Sequence, residues 1–246
     1  MMAKTAQLLA DVEQAYDSFK FNGVYRAVYD FVNDLSSVYM DVTKDRLYSE
    51  SPDSPRRRAV QTVLFNILEV LVRVLSPILS FTADEVWEYY PEAMRNREGR
   101  VCNVQLAGWP HRSDFVPALP GKAAEDKVLA AFGGALEVRD VVTKALEDAR
   151  GAKVINKSQE AIVSVTAPQA TLDALSAFDD SVFEELFIVS GVTFTAGDEL
   201  ACEVKPAEGD KCPRCWNYRQ LGGNANHADV CQRCGDALDA IGFTEE

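Results

Sequence analysis

Four cysteines stand in two Cys-x-x-Cys pairs, Cys212/Cys215 and Cys231/Cys234, with fifteen residues between the pairs. Each pair lets two thiolates converge on one ion, and two pairs close a tetrahedral shell with no position left for water. Closed shells of this kind are structural, because catalytic zinc keeps an open coordination position. The spacing fits a zinc ribbon, so one structural Zn²⁺ is expected on these four residues. Two other chemistries use the same residue type: a redox dithiol in one pair, and two disulfides in an exported module. The second distant pair argues against the first, and the lack of an export signal at the N-terminus argues against the second. His227 lies between the pairs. With four thiols at hand it reads as a polar loop residue.

The side chains around the cysteines widen the question. Trp216 follows the first pair, then Tyr218, with Lys211, Arg214, Arg219 and Arg233 nearby and Asp229 alone opposing them. With thiols counted as neutral the stretch carries a charge of about +3, and four thiolates on a zinc ion reduce this to about +1. The field is therefore weak. A flat ring beside a guanidinium suits stacking on an unpaired base, worth about 1–3 kcal/mol per base. The competing role for Trp216 is a lid over the metal, as a miniature core.

The chain that must position these residues has 246 residues, a net charge of −13, and apolar and charged fractions of 47% and 26%. This is an ordinary globular composition with room for one to three domains. The acidity opposes gross attraction to nucleic acid, but it is unevenly placed. Residues 166–210 hold ten acids against Lys205 alone, nine of the thirteen net negative charges. Cys102 and Cys202 are isolated and read as small buried hydrophobes. Reduced, metal-bound cysteine fits the cytoplasm.

Periodicity then places the elements. Residues 7–19 put Leu8, Val12, Ala15 and Phe19 at helical spacing. Starting so near residue 1 without a cap, this helix suggests a piece of a longer chain. A second helix carries Val24, Val28, Phe31, Leu35, Val38 and Val42. Ser54 then caps a third, with Pro55 in its first turn. That helix faces Val60, Val63, Leu64, Ile67, Leu68, Leu71 and Leu75 to a core, so Leu68→Ala is expected to cost about 2–5 kcal/mol. Glu69 and Arg73 pair at i,i+4 on its wet edge, which argues against a membrane span. Thr82 to Glu85 reads as a capping box for a short helix stopped by Pro91. Asp84 and Glu85 are thereby assigned to capping, not to acid–base chemistry. Residues 95–120, rich in Arg, Gly and Pro, read as a connector, and 123–150 as a long helix with Leu129, Phe132, Leu136, Val142 and Leu146 inward.

From Gly151 the period changes. Residues 161–165 alternate as a strand, 168–178 return to helix, and 192–195 and 201–204 form short strands. The expected fold is mainly α: an up-down helical bundle with its connector (1–118), a long helix with a small α/β subdomain (119–210), and a zinc-ribbon module with a tail (211–246). No Gly-rich phosphate loop, nucleophile elbow or zincin motif occurs. Neither His111 nor His227 has a catalytic partner in a motif, so no catalytic residue is expected.

Residues 41–91, DVTKDRLYSESPDSPRRRAVQTVLFNILEVLVRVLSPILSFTADEVWEYYP, resemble the helical anticodon-binding domain of bacterial isoleucyl-tRNA synthetases. CPRCWNY with the following CQRCG is similar to the zinc module at the C-terminus of those enzymes, and EVRDVVTKALEDARGAKVINKSQEAIVSV looks like the region between. A related finger occurs in base-excision glycosylases, which need an N-terminal proline that Met1-Met2 does not offer. The resemblance implies a C-terminal part of a class I synthetase, without the HIGH and KMSKS sequences of adenylate chemistry and without editing residues. ATP would be bound elsewhere in the parent enzyme. The implied partners are isoleucine tRNA, through its anticodon stem-loop, and the catalytic domain of the same enzyme, in a cytoplasmic monomer. The anticodon loop offers unstacked bases, where RNA is read. Lys44, Arg46, Arg56, Arg57 and Arg58 are the candidate phosphate contacts in the helical part, although a charge run at a helix start also simply faces water. Arg214, Trp216, Tyr218 and Arg219 are the candidates in the ribbon. Asn217 departs from the histidine frequent in the family, which leaves that position without an assigned role. The alternative function is a zinc-stabilised protein-interaction module without RNA specificity. A free-standing zinc-finger enzyme acting on nucleic acid would need catalytic residues that the sequence does not supply.

Overall fold

A computed structural model describes residues 1–95, 99, 101–115, 122–176 and 178–244. In chain order the elements are α1 (Met2–Asp17), α2 (Phe21–Asp34), a π-helical turn (Leu35–Met40), α3 (Asp41–Ser49), α4 (Pro55–Leu75), α5 (Ser80–Glu88), α6 (Glu92–Arg95), a 3₁₀ turn (Val104–Leu106), α7 (Arg112–Phe115) and α8 (Lys122–Gly151). A second 3₁₀ turn (Ser158–Glu160), β1 (Ala161–Ala167), α9 (Gln169–Leu175), α10 (Asp180–Phe187), β2 (Gly191–Ala196), β3 (Ala201–Pro206), β4 (Asp210–Lys211), β5 (Tyr218–Arg219) and α11 (Gln232–Asp239) complete it. The mainly α class, with a small sheet and a C-terminal cysteine cluster, is as expected. No helix among the described residues is long and apolar enough to cross a membrane.

The chain divides into two compact units. The first comprises Met1–Met40 and Ala59–Gly121, the second Asp41–Arg58 and Lys122–Glu246. The expected boundary at 118/119 lies outside the described residues, as do parts of the 95–120 connector (96–98, 100 and 116–120) and Ala177 within the expected 168–178 helix.

The first unit is held by apolar stripes at helical spacing. Leu8 and Val12 of α1, Val24 and Phe31 of α2, and Ile67, Val70 and Val74 of α4 are buried in one cluster. α4 also turns Val72 into a second cluster with Ala83, Trp87, Tyr90 and Val104. Because α4 is buried on two sides, the single stripe expected from its sequence was too narrow. Leu68 falls in the gap between the two faces and is 39% exposed, so the cost expected for its truncation does not apply. Phe19 was placed on the α1 stripe, but it lies beyond the helix end with φ 55 and is exposed. The Glu69–Arg73 pair forms as expected, at 2.8 Å, but it is mostly buried and not on the wet edge expected for it.

Capping was right at one helix and wrong at another. The Ser54 hydroxyl accepts the Arg57 N–H at 3.4 Å, as the N-cap of α4 should. By contrast, α5 begins at Ser80 and no side chain caps it. Asp84 instead accepts the Val104 N–H at 3.4 Å and pins the connector. The connector packs tightly where it is described: Phe115 is buried, and Trp109 meets Tyr16 edge-on at 5.5 Å.

The second unit is an α/β layer. In β1 the residues Ala161, Val163, Val165 and Ala167 alternate inward and are fully buried. They meet Ala135, Val138, Val142 and Leu146 of α8, which recur at helical spacing on its inner face. β1 runs parallel to β2 (Val163 beside Val192) and antiparallel to β3 (Val163 beside Val204), giving the order β2-β1-β3. Helices α9 and α10 connect the parallel pair. α10 was not foreseen; its Phe183, Leu186 and Phe187 complete the core. Val42 of α3 also packs on this core, so α3 belongs to the second unit.

Candidate metal centre and its surroundings

The ribbon is two knuckles facing each other. In the first, Cys212 donates its N–H to Asn217 O at 3.0 Å, and the Trp216 N–H returns to Cys212 O at 2.9 Å. This tight loop requires Trp216 to adopt φ 68, a left-handed conformation that costs a non-glycine residue about 1–2 kcal/mol. In the second knuckle Cys231 precedes α11, and Cys234 lies in the first turn of that helix, where exposed N–H groups favour negative charge. β4 pairs with β5 across the first knuckle, and Leu221 bridges to Cys231. Gly235 allows close packing here, since a Cβ would sit 2.4 Å from that of Asn224.

The four sulfur atoms lie within 4.8 Å of one another and all four cysteines are buried. Hydrogen bonds from Cys215 and Cys234 pull the Cys231 thiol down, and those with Cys215 and Cys231 push Cys234 up. Four buried sulfurs this close become anions together only around a cation, and their number, type and spacing fit tetrahedral zinc. His227 stands outside the cluster. It lies in the loop between the pairs, buried, with Nε2 3.5 Å from Asp239. The two isolated cysteines also differ from expectation. Cys102 is exposed, and Cys202 is partly buried with its thiol pushed up to about 11 by that burial.

Trp216 does not cover the metal. It is 53% exposed, with Lys157 Nζ 5.7 Å and Lys211 Nζ 5.5 Å from its ring centroid. Tyr218 is half-buried, its N–H donated to Ser190 Oγ at 2.8 Å.

The arginines read as RNA contacts are mostly engaged inside the second unit. Arg46 donates two bonds to Glu185, from Nε at 2.8 Å and Nη2 at 2.5 Å, and Arg56 donates to the other oxygen of the same carboxylate. Arg56 also lies 3.3 Å from Glu50, and Arg57 donates to the Glu50 carbonyl at 3.0 Å. Arg214 donates to the Ser49 carbonyl, and Arg219 pairs with Glu184 at 2.7 Å. Lys44 pairs with Asp41 at 2.6 Å, and Arg58 is exposed. These side chains line or flank a groove of about 620 Å³ beside α3, α10 and the ribbon. Glu184 and Glu185, read in sequence as part of an acidic surface, are thus the acceptors that fix α3 and the ribbon in place. Lys157 was missed because it lies far from the cysteines in sequence. Arg233 was counted only in the charge of the stretch; that both pairs read Cys-x-Arg-Cys is the signal that could have singled it out.

Comparison with known proteins agrees with this arrangement. Residues 1–166 match the family described as the anticodon-binding domain of tRNA ligase, and residues 209–237 match the zinc finger found in FPG and IleRS. The isoleucine–tRNA ligase of Geobacillus kaustophilus (strain HTA426) is 40% identical over 97% of this chain and 26% of its own length. Those of Syntrophotalea carbinolica and Kosmotoga olearia are 38% and 35% identical, over 95% and 99% of the chain and 25% and 26% of their own lengths. The chain therefore spans about a quarter of the length of these curated relatives. The cysteine geometry and the finger match together assign one structural zinc site to Cys212, Cys215, Cys231 and Cys234.

Proposed function

The chain belongs to the family of tRNA-ligase anticodon-binding domains, and from that premise we propose that it holds the anticodon arm of isoleucine tRNA for an isoleucine–tRNA ligase. Aminoacylation itself would be carried out, with ATP, by the part of such an enzyme that this chain does not span. The reading puts the protein in the reducing cytoplasm, where thiols stay available to metal.

One observation carries the site: the indole of Trp216 is half-exposed, with the Lys157 and Lys211 ammonium groups near its ring, on the loop of the first cysteine pair. An unpaired base stacks on the ring, and Lys157 and Lys211, on flexible stems, swing to the flanking phosphates. Zinc supplies rigidity by fixing the Trp216 backbone. Lys44 and Arg58 add phosphate contacts at the helical end of the same unit. Arg46, Arg56, Arg57, Arg214 and Arg219 act indirectly in this reading, by holding α3 and the ribbon in shape.

The test is binding to a panel of anticodon stem-loops. Trp216→Ala should weaken the isoleucine stem-loop by about 1–3 kcal/mol with zinc content unchanged. Equal affinity for unrelated anticodons, or binding insensitive to salt, would instead favour a protein-interaction module.

A further inference from the structure

The two knuckles share more than their cysteines: they read Cys212-Pro-Arg214-Cys215 and Cys231-Gln-Arg233-Cys234, with arginine at the same place in each. Each of these arginines stands one residue from a cysteine of its own pair and reaches outward to α3. Arg233 grips both oxygens of Asp45, at 2.5 and 3.0 Å, and Arg214 donates to the Ser49 carbonyl. Asp45 and Ser49 are four residues apart and share one face of that helix.

We propose that Arg214 and Arg233 are a pair of positioning residues that couple the zinc shell to α3. Arg233 is already paired with Asp45. Ser49 O is one of the orphan carbonyls at the end of α3, and an arginine there both satisfies it and opposes the helix dipole. Zinc on the four cysteines would fix the two Cys-x-Arg-Cys loops, and with them the backbone that carries both guanidiniums. The guanidiniums in turn hold the last turn of α3 and the 50–54 loop that leads into α4. Coupling of this kind is reciprocal: whatever the metal contributes to the order of α3, α3 returns to metal affinity. This inference stands apart from the RNA reading.

The experiment uses the full zinc-loaded chain, with zinc affinity measured against a chromophoric chelator and amide exchange followed over residues 43–50. Arg233→Met should weaken zinc binding about fivefold or more, because it releases the second loop from Asp45. Arg233→Lys should recover only part of this, because lysine has no fork to grip both oxygens of that carboxylate. The decisive variant is Asp45→Asn, which touches no ligand. It should weaken zinc binding about fivefold or more through the reciprocal coupling. Stripping zinc from the unaltered chain should accelerate exchange over 43–50 along with the ribbon. Unchanged zinc affinity in Asp45→Asn, or unchanged exchange over 43–50 after chelation, would overturn the proposal. These two measurements stand even if Arg233→Met does not fold. Neither involves RNA, so their failure would leave the anticodon reading standing.

Discussion

The two units are held together by different forces. In the first, burial of Leu8, Val12, Val24, Ile67, Val70 and Val74 makes the core, and the Glu69–Arg73 pair joins successive turns of one helix. The second has an apolar core of its own beneath β1, but α3, α10 and the ribbon are joined by paired charges and a metal shell. A basic residue therefore does different work in different places. On the first unit Arg73 pairs within its own helix and lies over Trp87, while on the second Arg46, Arg56 and Arg219 tie separate elements together.

Removing zinc should break this contrast most strongly. Structural zinc supplies apparent free energies of about 10–16 kcal/mol to small finger modules, so chelation should unfold the ribbon while the first unit keeps its cooperative melt. Circular dichroism with residue-resolved exchange checks this, and simultaneous loss of both units would contradict it. Next, Ile67→Ala should cost about 2–5 kcal/mol in denaturant unfolding, as a cavity in a closed core does. Its neighbour Leu68→Ala should cost about 1 kcal/mol or less, since that side chain is already half in water.

Glu185→Gln probes the charged cement. The carboxylate is 9% exposed and accepts from both Arg46 and Arg56, which are themselves 22% and 41% exposed. Solvent reaching the arginines lowers the penalty below that of a fully buried pair, to about 2 kcal/mol. A loss under about 0.5 kcal/mol would show the network to be ornament to the packing. The smallest effect concerns thiol chemistry in the zinc-loaded protein at pH 8. There the Cys202 thiol, at about 11, is almost wholly protonated and slow to alkylate, because the thiolate is the nucleophile. Exposed Cys102 should react first by mass spectrometry.

Local patterns predicted what local patterns govern. The cysteine spacing predicts the ligand set, the alternation of residues 161–165 gives β1, and Ser54-Pro55 marks the start of α4. Each is a short-range rule acting within a few residues. Failures came where distant segments compete. α4 is buried on two faces because two clusters need it, so a single-stripe reading sent Leu68 inward. The Thr82–Glu85 pattern lies inside α5, which starts two residues earlier, and Asp84 accepts the Val104 amide twenty residues away. The arginine run at 56–58 reads as a solvent or phosphate face until Glu185, more than a hundred residues on, is brought beside it. A sequence records charges but not their partners.

The account's central claim is that RNA meets the second unit at Trp216 and its two lysines. Salt dependence of stem-loop binding tests this directly, because each phosphate contact contributes about one unit to the slope of log affinity against log salt. Lys157→Ala and Lys211→Ala should each flatten that slope by about one unit, while Trp216→Ala should lower affinity at every salt concentration with the slope unchanged. If both lysine variants keep the full slope, the phosphates lie elsewhere and the site as drawn is wrong.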